Sequence, residues 1–299
     1  MRHALVLLAV AACQPALSTK ITSSRTLRYD DAQELPHVRA ASGIVAQRHR
    51  LLIAQDDAQY LGVVTDRVTA LPLPAVEGRR QFATKRDKID IEAMVQIDDE
   101  VWLFGSGSLP PREQIYRLVN DEPRSIAAGP LYQLCRAALG GMLNIEGVAR
   151  VGDELWLFHR GNTGPSDRPA VARFSLAGVK AWLDGGPVPP LRGVKVYALG
   201  AVDGHPYGFT DATAVGDRVY FLAAAEASDN AIDDGVVPGS LLGVIDGRGI
   251  RTAPFTVGGK PVKAEGLAID RAHHAWVVVD PDDPAIPSTL FEVALLGPW

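Results

Sequence analysis

Hydrophobic and polar positions alternate along most of this chain in short runs, broken by turns rich in Asp and Gly, which is the period-two signature of strands. One unit of that pattern recurs: an oxygen-bearing residue, then Gly or Ala, then a short run, a turn and an apolar strand. Its copies are Ser42-Gly43-Ile44-Val45, Ile91-Glu92-Ala93-Met94, Glu146-Gly147-Val148-Ala149, Asp211-Ala212-Thr213-Ala214 and Glu265-Gly266-Leu267-Ala268. The apolar strands that follow are Leu51-Leu52-Ile53, Val101-Trp102-Leu103-Phe104, Leu155-Trp156-Leu157-Phe158, Val219-Tyr220-Phe221-Leu222 and Trp276-Val277-Val278-Val279. An internal repeat outranks any single local signal.

Successive anchors, 42, 92, 146, 211 and 265, lie 50, 54, 65 and 54 residues apart, room for four strands each. The first four repeats each supply four strand patterns, with hairpin turns at Asp98-Asp99, Gly152-Asp153 and Gly216-Asp217. Short helices are expected over Leu131–Leu139 and Ala177–Leu183. The last repeat supplies only three strands, and a spare strand pattern near Leu27–Gln33 precedes the first. The expected fold is therefore all-β: a five-bladed β-propeller with four-stranded blades, closed by the N-terminal strand joining the last blade. A β-sandwich does not account for five equivalent copies.

The first strand of each propeller blade lines the central channel, so Ser42, Glu92, Glu146, Asp211 and Glu265 are expected to form a ring of oxygens. The next position, Gly43, Ala93, Gly147, Ala212 or Gly266, is small in every copy and points the other way, where neighbouring blades converge. Carboxylates gathered in a channel raise one another's pKa unless a cation compensates. An all-oxygen set without His or Cys suits a hard cation such as Ca2+. The alternative is a metal-free hub in which the same side chains cap neighbouring strands around water.

Loops opening on that face carry His37, Arg39, Lys85, Arg86, Lys88, His159, Arg160, His205, Lys260 and Lys263. Arg39, Arg86, Lys88 and Lys263, with Asp90 and Asn144 two residues before their anchors, are the candidate ligand-binding residues. His159, Arg160 and His205 are the candidate catalytic groups, either histidine serving to relay a proton. Such a basic rim around a central metal points to an anionic small molecule.

Bulk composition changes little. The 299 residues, 47% hydrophobic, are enough for one large core, and a net charge of -5 gives no reason to expect nucleic acid as a partner. Met1-Arg2-His3 and the apolar run Ala4–Ala12 read as an export signal, too short to span a bilayer. Val10-Ala11-Ala12-Cys13 is similar to a bacterial lipobox, which would make Cys13 a lipid anchor; cleavage at the small residues nearby is the other reading. Residues 1–13 are thus a signal or lipoprotein segment, 14–24 a tether and 25–299 one propeller domain, expected as a periplasmic or outer-membrane-anchored monomer. The mature part keeps one cysteine, Cys135, so it has no internal disulfide.

At its anchors the chain resembles the calcium-activated nucleotidases, or apyrases, secreted five-bladed propellers whose inner strands send Ser and Glu to a central Ca2+. The likeness rests on Ser42, Glu92, Glu146-Gly147, Asp211 and Glu265-Gly266; where that family leads one to expect a further Ser, Asp211 stands. Glu146-Gly147-Val148 with Leu155-Trp156-Leu157, and Glu265-Gly266-Leu267 with Trp276-Val277, also resemble bacterial phytase-like or esterase-like propellers. These resemblances imply a Ca2+-dependent hydrolase of a phosphorylated or other anionic molecule. The competing expectation is a non-catalytic cell-surface binding protein stiffened by its cation. No Gly-x-Ser-x-Gly elbow is present, which argues against a serine hydrolase.

Overall fold

A computed structural model describes residues 16–31, 36–74, 88–161, 167–227, 235–271 and 273–299. The signal segment with Cys13, residues 14 and 15 of the expected tether, and Lys85 and Arg86 lie outside the described residues.

Five antiparallel sheets of consecutive strands form the blades. Blade 1 comprises Ala41–Gln47, Arg50–Gln55, Tyr60–Val64 and Val68–Pro72. Blade 2 comprises Ile91–Ile97, Glu100–Gly105, Gln114–Val119 and Glu122–Ala127. Blade 3 comprises Ile145–Val151, Glu154–His159, Ala170–Ser175 and Leu191–Val196. Blade 4 comprises His205–Val215, Arg218–Ala227, Val236–Asp246 and Gly249–Pro254, with a two-residue strand, Ala201–Val202, added at its start. Blade 5 comprises Ala264–Ile269, His274–Val279, Thr289–Leu296 and, from the other end of the chain, Ser18–Thr26. The fold is the five-bladed β-propeller expected from the repeat. Its tight hairpins use residues that tolerate positive φ, such as Asp98 (φ 53°), Gly152 (59°) and Gly216 (65°).

The closing strand lies upstream of the stretch the sequence pattern indicates. Ser18–Thr26 pairs antiparallel with Thr289–Leu296, Ser18 facing Leu296 and Thr26 facing Thr289, so most of the expected tether is strand. The stretch Ser-Thr-Lys-Ile-Thr-Ser-Ser-Arg-Thr is polar and largely exposed because it is the outermost strand of its blade and has no second sheet to cover it. The C-terminus locks the seam: the Trp299 indole N–H reaches the carbonyls of Ser18 (3.1 Å) and Leu296 (3.0 Å).

The core lies between blades. Two helices sit where the sequence places them, α1 (Gly129–Leu139) and α2 (Leu176–Leu183), and pack Tyr132, Cys135 and Val179 against Trp102, Phe104 and Phe174. Phe209 meets Phe158 and Phe221 edge-on at 5.1 and 5.2 Å, locking blade 3 to blade 4. Unlike Trp102, both Trp156 and Trp276 are only half-buried. At the hairpin end of the inner strands the channel holds a cavity of about 230 Å3 with a mixed lining, Ile44, Met94, Ala149 and Ala268 beside Arg150, Gln96 and Thr213.

Candidate functional site

Each inner strand carries a β-bulge, at its first residues in blades 1, 2, 3 and 5 and midway along the longer strand of blade 4. Pairing with the second strand skips one residue: Ser42, Glu92, Glu146, Thr210 and Glu265. The bulged residue is left out of the ladder and its side chain is re-aimed, a device common beside active sites. In blade 4 the anchor is therefore Thr210 and not Asp211. The signal was in the spacing, since the turn begins six residues after the anchor in every blade when Thr210 is used. A buried apolar or small residue also precedes each true anchor: Ala41, Ile91, Ile145, Phe209 and Ala264.

The two hydroxyl anchors behave alike. Ser42 donates to the carbonyl of Ile91, and Thr210 to that of Ala264, in each case the residue just before the next blade's glutamate. Asp211 falls instead in the small-residue row. Its carboxylate accepts from its neighbour's Ala212 N–H (2.7 Å) and, across the blade boundary, from Leu267 N–H (2.6 Å). Burial holds its pKa well above the usual carboxylate range, against the pull of those two bonds. The small residues elsewhere in the row are required by contact: a Cβ on Gly147 would lie 2.8 Å from the Ala212 nitrogen, and one on Gly266 would lie 2.5 Å from a Val278 methyl and 3.0 Å from the Gly43 backbone.

The glutamate anchors enter a charged cluster at the mouth. Asn144 (2.7 Å) and Arg160 (3.2 Å) bond Glu146, and Arg160 also reaches Glu226 (2.7 Å). Gly208 makes room for the backbone and side-chain stem of Arg160, since a Cβ there would sit 2.7 Å from its Cγ and its carbonyl oxygen. Lys263 lies 2.6 Å from Asp282, 3.6 Å from Asp280 and 3.7 Å from Glu265. On the other side, Lys88 bonds Asp56 and stands 2.8 Å from Asp90. Asp90 further receives Arg112 (2.8 Å) and the Ser106 hydroxyl, and Arg39 pairs with Asp57. Asp56, Asp90 and Glu92 form the one described group of carboxylate, imidazole or thiol ligands, three or more strong, with its atoms all within 4.8 Å of one another.

Acid outnumbers base here. Among the described residues nine carboxylates, from Asp56, Asp57, Asp90, Glu92, Glu146, Glu226, Glu265, Asp280 and Asp282, face five cations, from Arg39, Lys88, Arg112, Arg160 and Lys263. Burial first, then like charge from Asp90 and Glu146, pushes Glu92 well above the ordinary range. Glu265 is raised by burial despite Lys263 and Arg160, and its Oε1, in a residue only 4% exposed, has no hydrogen-bond partner. Burial lifts Asp280 to about 7, Lys263 opposing and Asp56 and Asp282 adding to the rise. Asp90 alone of these is held low despite burial, by Lys88 and Arg112.

The rim is therefore not a free basic surface: Arg39, Lys88, Arg160 and Lys263 are all engaged by carboxylates. His159 is buried, its Nδ1 accepting the Asn144 N–H (3.1 Å) and its Nε2 facing Asp167 at 3.1 Å, so both ring nitrogens are occupied within the fold. His205 begins the inner strand of blade 4 beside the Ala201–Val202 strand and bonds to none of the cluster. Sequence reasoning missed Thr210 and Arg112; Arg112 sits in a short 3-10 turn, Pro110–Arg112, that carries no repeat signature.

Fold and site together define a five-bladed propeller with an acid-rich charged mouth fed by bulged inner strands. The chain belongs to a family of unknown function, DUF6929, whose model matches residues 37–295. A search of curated proteins found no match. Among solved structures it is similar to MPT-4, a mannose phosphorylase from Leishmania mexicana, in complex with phosphate ion (TM-score 0.51, 13% identity, covering 92% of this chain and 89% of that one). It is also similar to a hypothetical protein from Leishmania major (TM-score 0.50, 13% identity, 92% and 90% covered). At these identities the likeness concerns the fold.

Proposed function

We propose that this is an exported propeller that binds a divalent cation, Ca2+ in preference to softer metals, at the mouth of its channel, and that the cation holds an anionic small molecule there. The observation that carries the reading is Glu265, a buried carboxylate anchor whose Oε1 makes no hydrogen bond among the described residues and has only the Lys263 ammonium, at 3.7 Å, facing it, with the raised carboxyls of Glu146 near it and of Glu92 beyond. Buried carboxylates in this state call for protons or a cation. The anchors' chemistry suits a hard ion, with carboxylates from Glu92, Glu146 and Glu265, hydroxyls from Ser42 and Thr210 and no nitrogen or sulfur among them, and Glu92 already stands within 4.8 Å of the Asp56 and Asp90 carboxylates. Thr210 supplies the second hydroxyl that the apyrase resemblance leads one to expect, and Asp211 drops out of the set.

The described basic groups of the cluster are already paired with carboxylates, so the ion itself is the main charge they leave for an anion. A Ca2+ there would polarise a phosphoryl or carboxyl oxygen and act as a template for it. The catalytic version of this reading is favoured by Asp280, whose pKa near 7 suits a general base. Without that chemistry the protein is a binding module built on the same site.

The test is calorimetry and thermal unfolding with CaCl2, MgCl2 or EDTA, on the wild type and Glu265→Gln. Saturable Ca2+ binding that raises Tm, and that Glu265→Gln abolishes, is expected. A Tm indifferent to Ca2+ at millimolar concentration overturns the proposal. Phosphate release from nucleotides and phytate, with Asp280→Asn as comparison, decides between turnover and binding alone.

A further inference from the structure

The second strands run from a hairpin at the channel's far end, opposite the mouth. There, at the seam where blade 5 meets blade 1, lies a separate cavity of about 490 Å3, within the size range of ligand pockets. Its walls include Arg25, Arg48, His49, Arg50, Trp276 and Glu292.

Three departures from the repeat meet at this place. The hairpin between inner and second strands carries Asp in blades 2 to 5, at Asp98-Asp99, Asp153, Asp217 and Asp270; blade 1 has Arg48-His49. In blades 2 and 3 the second-strand tryptophan is capped by the glutamate two residues before it, Trp102 by Glu100 at 2.6 Å and Trp156 by Glu154 at 2.9 Å. Each glutamate pairs with the arginine across the ladder from the tryptophan, Arg117 or Arg173. Blade 5 exchanges both partners: His274 stands in the glutamate's place, Glu292 in the arginine's, and the two are 3.8 Å apart. The Trp276 indole N–H consequently has no acceptor among the described residues, its ring lying edge-on to His274 at 4.5 Å.

The third departure is uncompensated charge. Arg48 and His49 make no hydrogen bond or ion pair among the described residues. Among the described residues Arg25 bonds only the carbonyls of Thr65 (2.6 Å) and Asp66 (2.8 Å), with no carboxylate facing its charge. Arg50 is paired with Asp121. The pocket thus offers two unneutralised guanidiniums and an indole face and N–H, against one carboxylate already facing His274.

We propose that this seam pocket is a second ligand site, for a small organic anion that joins a carboxylate or phosphate to an unsaturated ring. Arg48 and Arg25 take the charge, guanidinium being matched to planar or tetrahedral oxyanions, and the ring lies on Trp276. The site stands on the opposite end of the channel from the mouth and needs no metal.

Calorimetry of the full chain in EDTA with phenyl phosphate, benzoate and inorganic phosphate tests this, with EDTA removing any metal-held anion. Saturable binding of phenyl phosphate or benzoate, tighter than that of inorganic phosphate, is expected, and the better of the two tells phosphate from carboxylate recognition. Arg48→Gln, in an exposed hairpin where folding is indifferent to it, should weaken that binding about tenfold. Trp276→Phe should weaken it several-fold by removing the N–H while keeping a ring. No saturable binding of any probe in EDTA, or wild-type affinity in Arg48→Gln, overturns the proposal; either result leaves the mouth reading untouched, because EDTA removes the ion that reading needs.

Discussion

The Thr210 hydroxyl donates to the carbonyl of Ala264 at 2.6 Å, tying the bulge of blade 4 to the residue before Glu265 in blade 5. Ser42 makes the same tie from blade 1 to blade 2. Two of the five anchors therefore hold the inner strands together, and the three glutamates between them are free to face the mouth.

Thr210→Val keeps the shape and removes the donor, leaving a buried carbonyl unmet. A loss of about 1 to 2 kcal/mol in urea unfolding is expected, with Thr210→Ser close to wild type. If Thr210→Val matches wild type in stability, the tie is geometric coincidence.

The repeat, the blade count and both helices were legible in the sequence, because alternation and a recurrent polar-small pair impose themselves on every blade. The register of blade 4 was harder to see, since Asp211-Ala212 imitates the anchor pair while the bulge falls on Thr210. Asp211 occupies a row that elsewhere excludes bulk, and is tolerated because its carboxylate finds two backbone donors there. The closing strand was obscured for a different reason: an outermost strand packs on one side only, so Ser18–Thr26 has the composition of a linker. The basic rim was visible residue by residue, but its pairing with Asp56, Glu226 and Asp280 was not, because only the folded ring fixes which of these carboxylates stands beside Lys88, Arg160 and Lys263.

Arg160 offers a direct test of that neutralisation. Its guanidinium is buried between Glu146 and Glu226, and Glu265 contributes to holding it charged. Arg160→Gln leaves those carboxylates facing one another, so a loss of about 3 to 5 kcal/mol is expected at pH 7 in EDTA. Part of it should return at pH 5, where the glutamates take up protons, and part on adding Ca2+. A catalytic arginine dispensable for folding would show neither recovery.

The raised carboxylates also fix the sign of the pH dependence. Asp280 has a pKa of about 7 in the folded protein against an ordinary 3.8, and Glu92, Asp211 and Glu265 are shifted the same way. Between about pH 4 and pH 7 the native state consequently holds protons that the unfolded chain has released. Stability then falls as pH rises through that window, by at most about 1.4 kcal/mol per pH unit for each such proton, and Asp280's share levels off above pH 7. Carboxylates held low by ion pairs, Asp90 and Asp246 among them, act with the opposite sign, but at or below the ordinary carboxylate range. Urea unfolding in EDTA at pH 5, 6, 7 and 8 should show the decline. Asp280→Asn should flatten its upper part, and saturating Ca2+ should flatten it further by replacing the protons. Stability that climbs from pH 5 to pH 8 in EDTA would mean that these carboxylates are ionised at no cost in the native state, and the electrostatic case for a cation at the mouth would go with it.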